Sequence, residues 1–270
     1  GGMGGMGGAG GMGGMGGMGG MGGMGGAGGV GGAGGMGGAG GEPPLPGGPC
    51  GPTSSPEDEV PCTLSLSDAR QPNLYPDDLL VSLEGTVTSL RFNEEGRLSH
   101  ITLQALPGDA GFVGEDYSGL WVYCNNARAD LPAVTVGDRV SISGQLHTFF
   151  EQRQVEKLDM LEVIGRADVA PLVIDDPSTI STGGARAEVL EGVLVRVNNV
   201  AVAEVEPAPG PGDEAPINEF VIDGGLRVND FIFSAALPMV GDRFTSITGV
   251  LRLGNGDYKL EPRNAEDLAR

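Results

Sequence analysis

From residue 79 onward the chain reads as short runs in which apolar and polar positions alternate, cut by Gly, Asn, Asp and Pro. Alternation with a period of two is the mark of half-buried strands, and Gly, Asn, Asp and Pro are the residues that turn a chain. The runs predict strands over 79–92, 98–105, 119–125, 139–149 and 152–163. A second series follows over 191–202, 219–223, 226–229, 243–253 and 258–261. No long segment carries the 3.6-residue period of an amphipathic helix, so the expected fold class is all-β.

The two series repeat each other. VGDRVSISGQL at 136–146 matches VGDRFTSITGVL at 240–251, with one extra residue in the second copy. Glu84-Gly85-Thr86-Val87 matches Glu191-Gly192-Val193-Leu194. The offsets are 104 and 107 residues, which points to an internal duplication. Five strands with a VGD turn feeding a long fourth strand describe an OB-like, partly open Greek-key barrel. The glycine of VGD suits a tight turn and its aspartate bonds nearby backbone. Gly144 and Gly249 fall mid-strand, where a coiled barrel strand bends. The expected domains are an OB-like barrel at 79–170 and another at 171–270, each of five strands.

The chain before residue 79 has no such pattern. Residues 42–78 carry nine prolines and the acidic run Glu57-Asp58-Glu59, and read as a linker. Residues 1–39 form thirteen unbroken Gly-Gly-X triplets, and the tail to residue 41 holds no charge, aromatic residue or proline. X is methionine at Met3, Met6, Met12, Met15, Met18, Met21, Met24 and Met36, alanine four times and valine once. A strict period of three fits a three-residue helix such as polyproline II, whose rise of about 3.1 Å gives a rod of roughly 120 Å. The X side chains then line one edge, and two edges are bare glycine backbone. That helix makes no internal hydrogen bonds, so its N–H and C=O groups need partners from neighbouring rods. This resembles polyglycine-II bundles. A flexible coil is the competing expectation, since glycine-rich segments usually behave so.

The strand-rich part also resembles a known group. EGVLVRVNNVAV, NEFVIDGG, VGDRFTSITGVL and NGDYKLEPRNAEDL in the second series, and EGTVTSL, GLWVYCNN and VGDRVSISGQL in the first, are similar to the tandem OB-like region of bacterial secreted nucleases. Related exported proteins and lipoproteins carry the same region. The resemblance spans about 78–268 and implies the fold. The nuclease domain of that group is a separate α/β unit with several histidines and metal-binding carboxylates. Only His100 and His147 are present here, each reading as a surface strand residue. Nothing resembles a zinc spacing, P-loop, nucleophile elbow or triad, so no enzyme and no cofactor or metal is expected. Asp175-Asp176 and Asp213-Glu214 lack the regular spacing of a calcium loop.

Charge narrows the partners. There are 16 basic residues against 36 acidic, a net charge of −20, all of it outside the tail. Phosphate backbones are bound through lysine and arginine, so nucleic acid is disfavoured. No run of 18 apolar residues marks a transmembrane segment. The chain begins at Gly1 without a leader, as expected of a mature exported protein, extracellular or at the cell surface. In an oxidising compartment Cys50 and Cys62 form a disulfide pair, worth about 2–3 kcal/mol to the linker. Cys124, within WVYCNN, reads as a small buried residue. Trp121 alternates with Tyr123, so both share one face, either the barrel interior or a binding face.

These readings lead to an extracellular structural protein that self-assembles, through its tail, into a fibre or large oligomer of copies of itself, with the barrels as outer coat. The rival is a cell-surface binding or adhesion module on a flexible tail, an OB face taking an oligosaccharide or single-stranded nucleic acid.

Overall fold

The computed structural model describes residues 50, 60–71, 74–210 and 217–270. The tail with its eight methionines, most of the proline-rich stretch, and Asp213-Glu214 lie outside the described residues. Residues Leu45–Arg270 form one compact unit.

Two closed five-stranded barrels make up that unit. In the first, β2 (Leu80–Phe92), β3 (Leu98–Gln104) and β4 (Gly119–Tyr123) form an antiparallel meander. β5 (Asp138–Phe149) and β6 (Gln152–Arg166) form a long hairpin. β4 runs parallel to β6, and β5 returns to pair with β2, closing the barrel in the order β2-β3-β4-β6-β5. The second barrel repeats this with β8 (Leu194–Val205), β9 (Phe220–Ile222), β10 (Leu226–Val228), β11 (Arg243–Gly254) and β12 (Asp257–Glu261). There β10 is parallel to β12, and β11 closes on β8. This is the OB arrangement, and the strands lie close to their expected positions.

Alternation places the cores. Val81, Leu83, Ile101, Leu103, Leu120, Val122, Val140, Ile142, Leu146 and Val155 fill barrel 1. Val195, Val197, Ile222, Leu226, Val228, Ile247, Leu251 and Leu260 fill barrel 2, with Phe220 and Phe244 stacked 5.9 Å apart. The VGD turns work as their residues suggest. Gly137 and Gly241 take φ of 89° and 90°, and Asp138 and Asp242 accept from the backbone N–H of Thr135 and Met239. Gly144 and Gly249 sit where a Cβ would stand 2.7 and 2.6 Å from the carbonyl oxygens of Glu156 and Glu261 on the neighbouring strand. The bend therefore brings backbone against backbone.

Two expectations need correction. First, the linker does not extend to residue 78. Cys62–Thr63 forms a short β1 parallel to β2, and Leu66–Arg70 forms a helix, α1, capped by Ser65. Cys62, Leu64, Leu66, Ala69 and Tyr75 are buried in the core of barrel 1. Prolines hid these few apolar residues, which close one end of the barrel as a plug. β7 (Leu172–Ile174) runs parallel to β8 in the same way, so the repeat includes its entry strand. The Cys50–Cys62 disulfide forms, with Cα atoms 5.5 Å apart, and ties residue 50 to the start of β1.

Second, the match of 84–87 with 191–194 is not the structural one. Gly144 pairs with Val81 and Gly249 with Val195, which makes Val81 and Val195 counterparts, an offset of 114 residues. The counterpart of Gly192 is then Asp78. Both have positive φ, 82° and 65°, and their N–H groups donate at 2.8 Å to the carbonyls of Leu251 and Leu146. Gly85 serves another purpose, making room for the plug, since a Cβ there would lie 2.7 Å from Leu66 Cδ1. The duplication stands, and the Glu-Gly coincidence within it is local.

Candidate functional site: the seam between the barrels

Leu120 and Val122 point into barrel 1, so Trp121 and Tyr123 point out of it, on the same face as His100 and Thr102 of the paired strand. That outer face of strands two and three is where OB barrels take ligands. Barrel 2 lies on it. Trp121 is 1% exposed, packed with Leu194 and Val250 and flanked by Val169, Phe231 and Ile232. Its indole Nε1–H donates to the Leu251 carbonyl at 3.4 Å. The face carrying Trp121 and Tyr123 is thus neither barrel interior nor an open platform; at Trp121 it is an internal seam. Tyr123, at the margin, is half-buried against His100, with ring centroids 5.0 Å apart.

Glycine permits the approach. Gly119 and Gly192 face each other across the seam, and a Cβ on Gly119 would stand 2.1 Å from the carbonyl carbon of Gly192. Polar links surround this contact. Leu194 N–H donates to Gln104 Oε1 at 2.9 Å, Tyr117 N–H to the Val189 carbonyl at 2.6 Å, and Arg263 to the Thr88 carbonyl at 3.2 Å.

One margin of the seam gathers cations and aromatic rings. The guanidiniums of Arg91 and Arg252 lie 4.2 and 3.7 Å from the centre of the Phe231 ring, a cation–π arrangement. Arg91 Nε also donates to the Phe231 carbonyl at 2.6 Å. Buried Glu261 accepts from Asn229 and from Phe231 N–H and pairs with Arg252. Burial pushes the Glu261 carboxyl up to about 6 despite Arg252. His100, expected on the surface, is part of this cluster. Burial, with Arg91 and Arg252 adding to it, pushes its imidazole down to about 3.

Beside the seam lies a cleft of about 750 Å³. Arg70, Tyr75, Asp77, Glu151 and Arg153 line it from barrel 1, and Glu188, Glu191, Leu253 and Tyr258 from barrel 2. Arg70 and Glu191 form an ion pair across its floor, with side chains 4% and 1% exposed. Arg70 also donates to the Glu188 carbonyl at 3.0 Å. Arg153 pairs with Asp77 and donates to the carbonyls of Ala69 and Tyr75, pinning the plug segment to β6.

The remaining candidates stand apart from the seam. Cys124 is buried and unpaired, its thiol pushed to about 12 by burial, as befits a small core residue. Asp176 caps the turn at Pro177–Thr179 by accepting from Ser178 N–H. Phe149 and Phe150 meet edge to face at 4.7 Å on the exposed tip of the β5–β6 hairpin. Among the described residues, no group of three or more His, Cys, Asp or Glu is placed to hold a metal ion. Sequence reasoning missed Gly119, Gly192, Arg70, Glu191, Phe231 and Arg252 as seam residues. The only local signal was a large aromatic, Trp121, on the outward phase of a strand.

Fold and seam together define a tandem OB-like barrel protein. No family model matches the chain, and no curated protein matches it. Among solved structures, the crystal structure of a DUF3299 family protein from Pseudomonas aeruginosa matches 41% of this chain and 99% of its own length. The identity is 11% and the TM-score 0.24, a likeness that carries no argument. Among the described residues no helix is long and apolar enough to cross a membrane.

Proposed function

We propose that the chain is an exported, non-enzymatic structural protein that associates with copies of itself through the Gly-Gly-X tail, the fused barrels forming an acidic coat. The observation that carries this reading is the burial of Trp121: the ligand face of barrel 1 is taken up by barrel 2. The register of β10 against β12 makes Arg227 the counterpart of Trp121 in barrel 2. Arg227 pairs there with Glu219 and Asp257 and donates to the Ala208 carbonyl, so that face is polar. Polar outer faces at the ends of a repeat array stop it from growing by stacking. In this reading the Gly-Gly-X tail is the associating element. Net charge keeps the coats soluble, and the Cys50–Cys62 disulfide fits an oxidising compartment.

The test is negative-stain electron microscopy and light scattering of the full chain beside a chain lacking residues 1–41. Filaments or large particles from the full chain alone support the reading. Large assemblies from the truncated chain place the interface on the barrels and overturn it. The adhesion-module reading keeps one supporting observation, the exposed Phe149–Phe150 pair; it requires dispersed particles of monomer size from both chains.

A further inference from the structure

We propose that the tip of the β5–β6 hairpin is a docking surface for the Gly-Gly-X tail of a neighbouring copy, with Phe149 and Phe150 seated on its methionines. The turn is the first observation. Phe149 pairs with Gln152, so Phe150 and Glu151 are the two central residues, and both take positive φ, 45° and 69°. The counterpart hairpin of barrel 2 turns through Asn255 and Gly256, at φ of 52° and 81°. Asn-Gly is the pair that such a two-residue turn favours, whereas a bulky ring at positive φ is disfavoured. Barrel 1 therefore keeps a strained turn where the same fold accepts an unstrained one. The strain results in display: Phe150 is 81% exposed and Phe149 50%, their rings meeting edge to face. Strain held at a surface position points to a use for the residue that carries it. Charge, chemistry and length select the occupant. The net charge of −20 lies outside residues 1–41, which hold no charge, and eight of the ten methionines fall within them. A thioether packs favourably at the edge of an aromatic ring, and two rings set edge to face offer both edge and face. The proposal rests on the assembly reading above, in which glycine edges meet neighbouring rods and the methionine edge is left to the coat. A rod of roughly 120 Å outruns the barrels that precede it in no chain of this size: the longest strand, β6, has 15 residues, about 50 Å. Most of the methionine edge then lies alongside the barrels of other copies.

The experiment is cross-linking from the tail. Full-length light-isotope chains carrying a photo-reactive methionine analogue are co-assembled with full-length heavy-isotope chains carrying ordinary methionine, irradiated, digested and read by mass spectrometry. Cross-links from light residues 1–41 to the heavy Phe149–Phe150 hairpin, well above those to Phe92, are the expected result; Phe92, 55% exposed at the end of β2, is the control for chance encounter. Phe149→Thr with Phe150→Asn in the heavy chain brings the hairpin signal down to the Phe92 level. Asparagine tolerates positive φ, so the turn is kept and the melting temperature does not fall. Light scattering of the same sample separates two kinds of failure. Assemblies whose hairpin signal is no higher than that of Phe92, or is unchanged in the double variant, overturn the docking and leave tail assembly standing. Dispersed monomers without light-to-heavy cross-links overturn the assembly reading and the docking with it.

Discussion

Gly119→Ala probes the seam with the smallest possible change. The backbone of Gly119 lies in ordinary strand space, so alanine is not strained by its own φ. The collision is with barrel 2: the new Cβ would meet the carbonyl carbon of Gly192 at 2.1 Å and Val193 N at 2.4 Å. To reach an ordinary contact of 3.4 Å the two backbones must part by about 1.3 Å. Backbone atoms cannot rotate aside, so the cost lies at the upper end of overpacking, about 3 kcal/mol. Opening the seam fully is worse. It exposes a tryptophan that buries roughly 150–250 Å², about 4–6 kcal/mol at 25 cal/mol/Å², and Leu194 and Val250 besides. The seam therefore loosens under strain without separating. At about 2–4 °C per kcal/mol for a unit of this size, the melting temperature falls by roughly 6–12 °C. Trp121 is the single tryptophan, so its fluorescence reads the seam directly. Gly119→Ala increases acrylamide quenching and shifts emission to the red. The control is Gly85→Ala, where the new Cβ meets mainly Leu66 Cδ1, the far end of a flexible side chain, at 2.7 Å; it lowers the melting temperature less and leaves the tryptophan alone. Unchanged quenching and melting in Gly119→Ala would refute the close backbone approach and the buried seam with it.

Three further outcomes can be measured. Removing the disulfide with Cys50→Ser and Cys62→Ser loosens the entry segment that carries the plug, lowering stability by about 3 kcal/mol in denaturant melts; an unchanged midpoint means the plug is held by packing alone. His100 is held down at about 3 against an ordinary 6.5, so its contribution to stability is complete above 6.5 and is lost as pH falls toward 3. Glu261, raised to about 6 from 4.5, acts in the opposite sense, being most favourable below 4.5, and His100→Gln should therefore flatten acid destabilisation between 6.5 and 3 without abolishing pH dependence; identical acid profiles for variant and parent refute the desolvated imidazole. If the tail packs as the proposed rods, Gly19→Val with Gly20→Val would put branched side chains on the edges facing neighbouring rods, whereas Met18→Leu with Met21→Leu would keep apolar volume. Assembly yield should drop far more for the glycine pair, and equal yields would favour a flexible coil.

The strands, their pairing into two like barrels, the VGD turns and the glycines at the strand bends were legible in the sequence, because each is written in local periodicity or in a residue with one conformational use. Alternation also put Trp121 and Tyr123 on one face. It could not say which face, or what covers it, since a period of two distinguishes two sides of a strand and is silent about a neighbour 130 residues away, where Leu251 accepts the indole N–H. The plug escaped for a related reason: Leu64, Leu66 and Ala69 are too few and too irregular to register against the prolines around them, and only closure of the barrel end makes them core. The Glu-Gly repeat misled because two glycines met different tertiary demands, one under Leu66 and one against Gly119. Arg70 and Glu191 are ordinary charged residues along the chain, 121 positions apart. Local sequence determines how each strand presents its side chains; the docking of one barrel on the other decides which of those side chains become a seam, and where a cleft is left beside it.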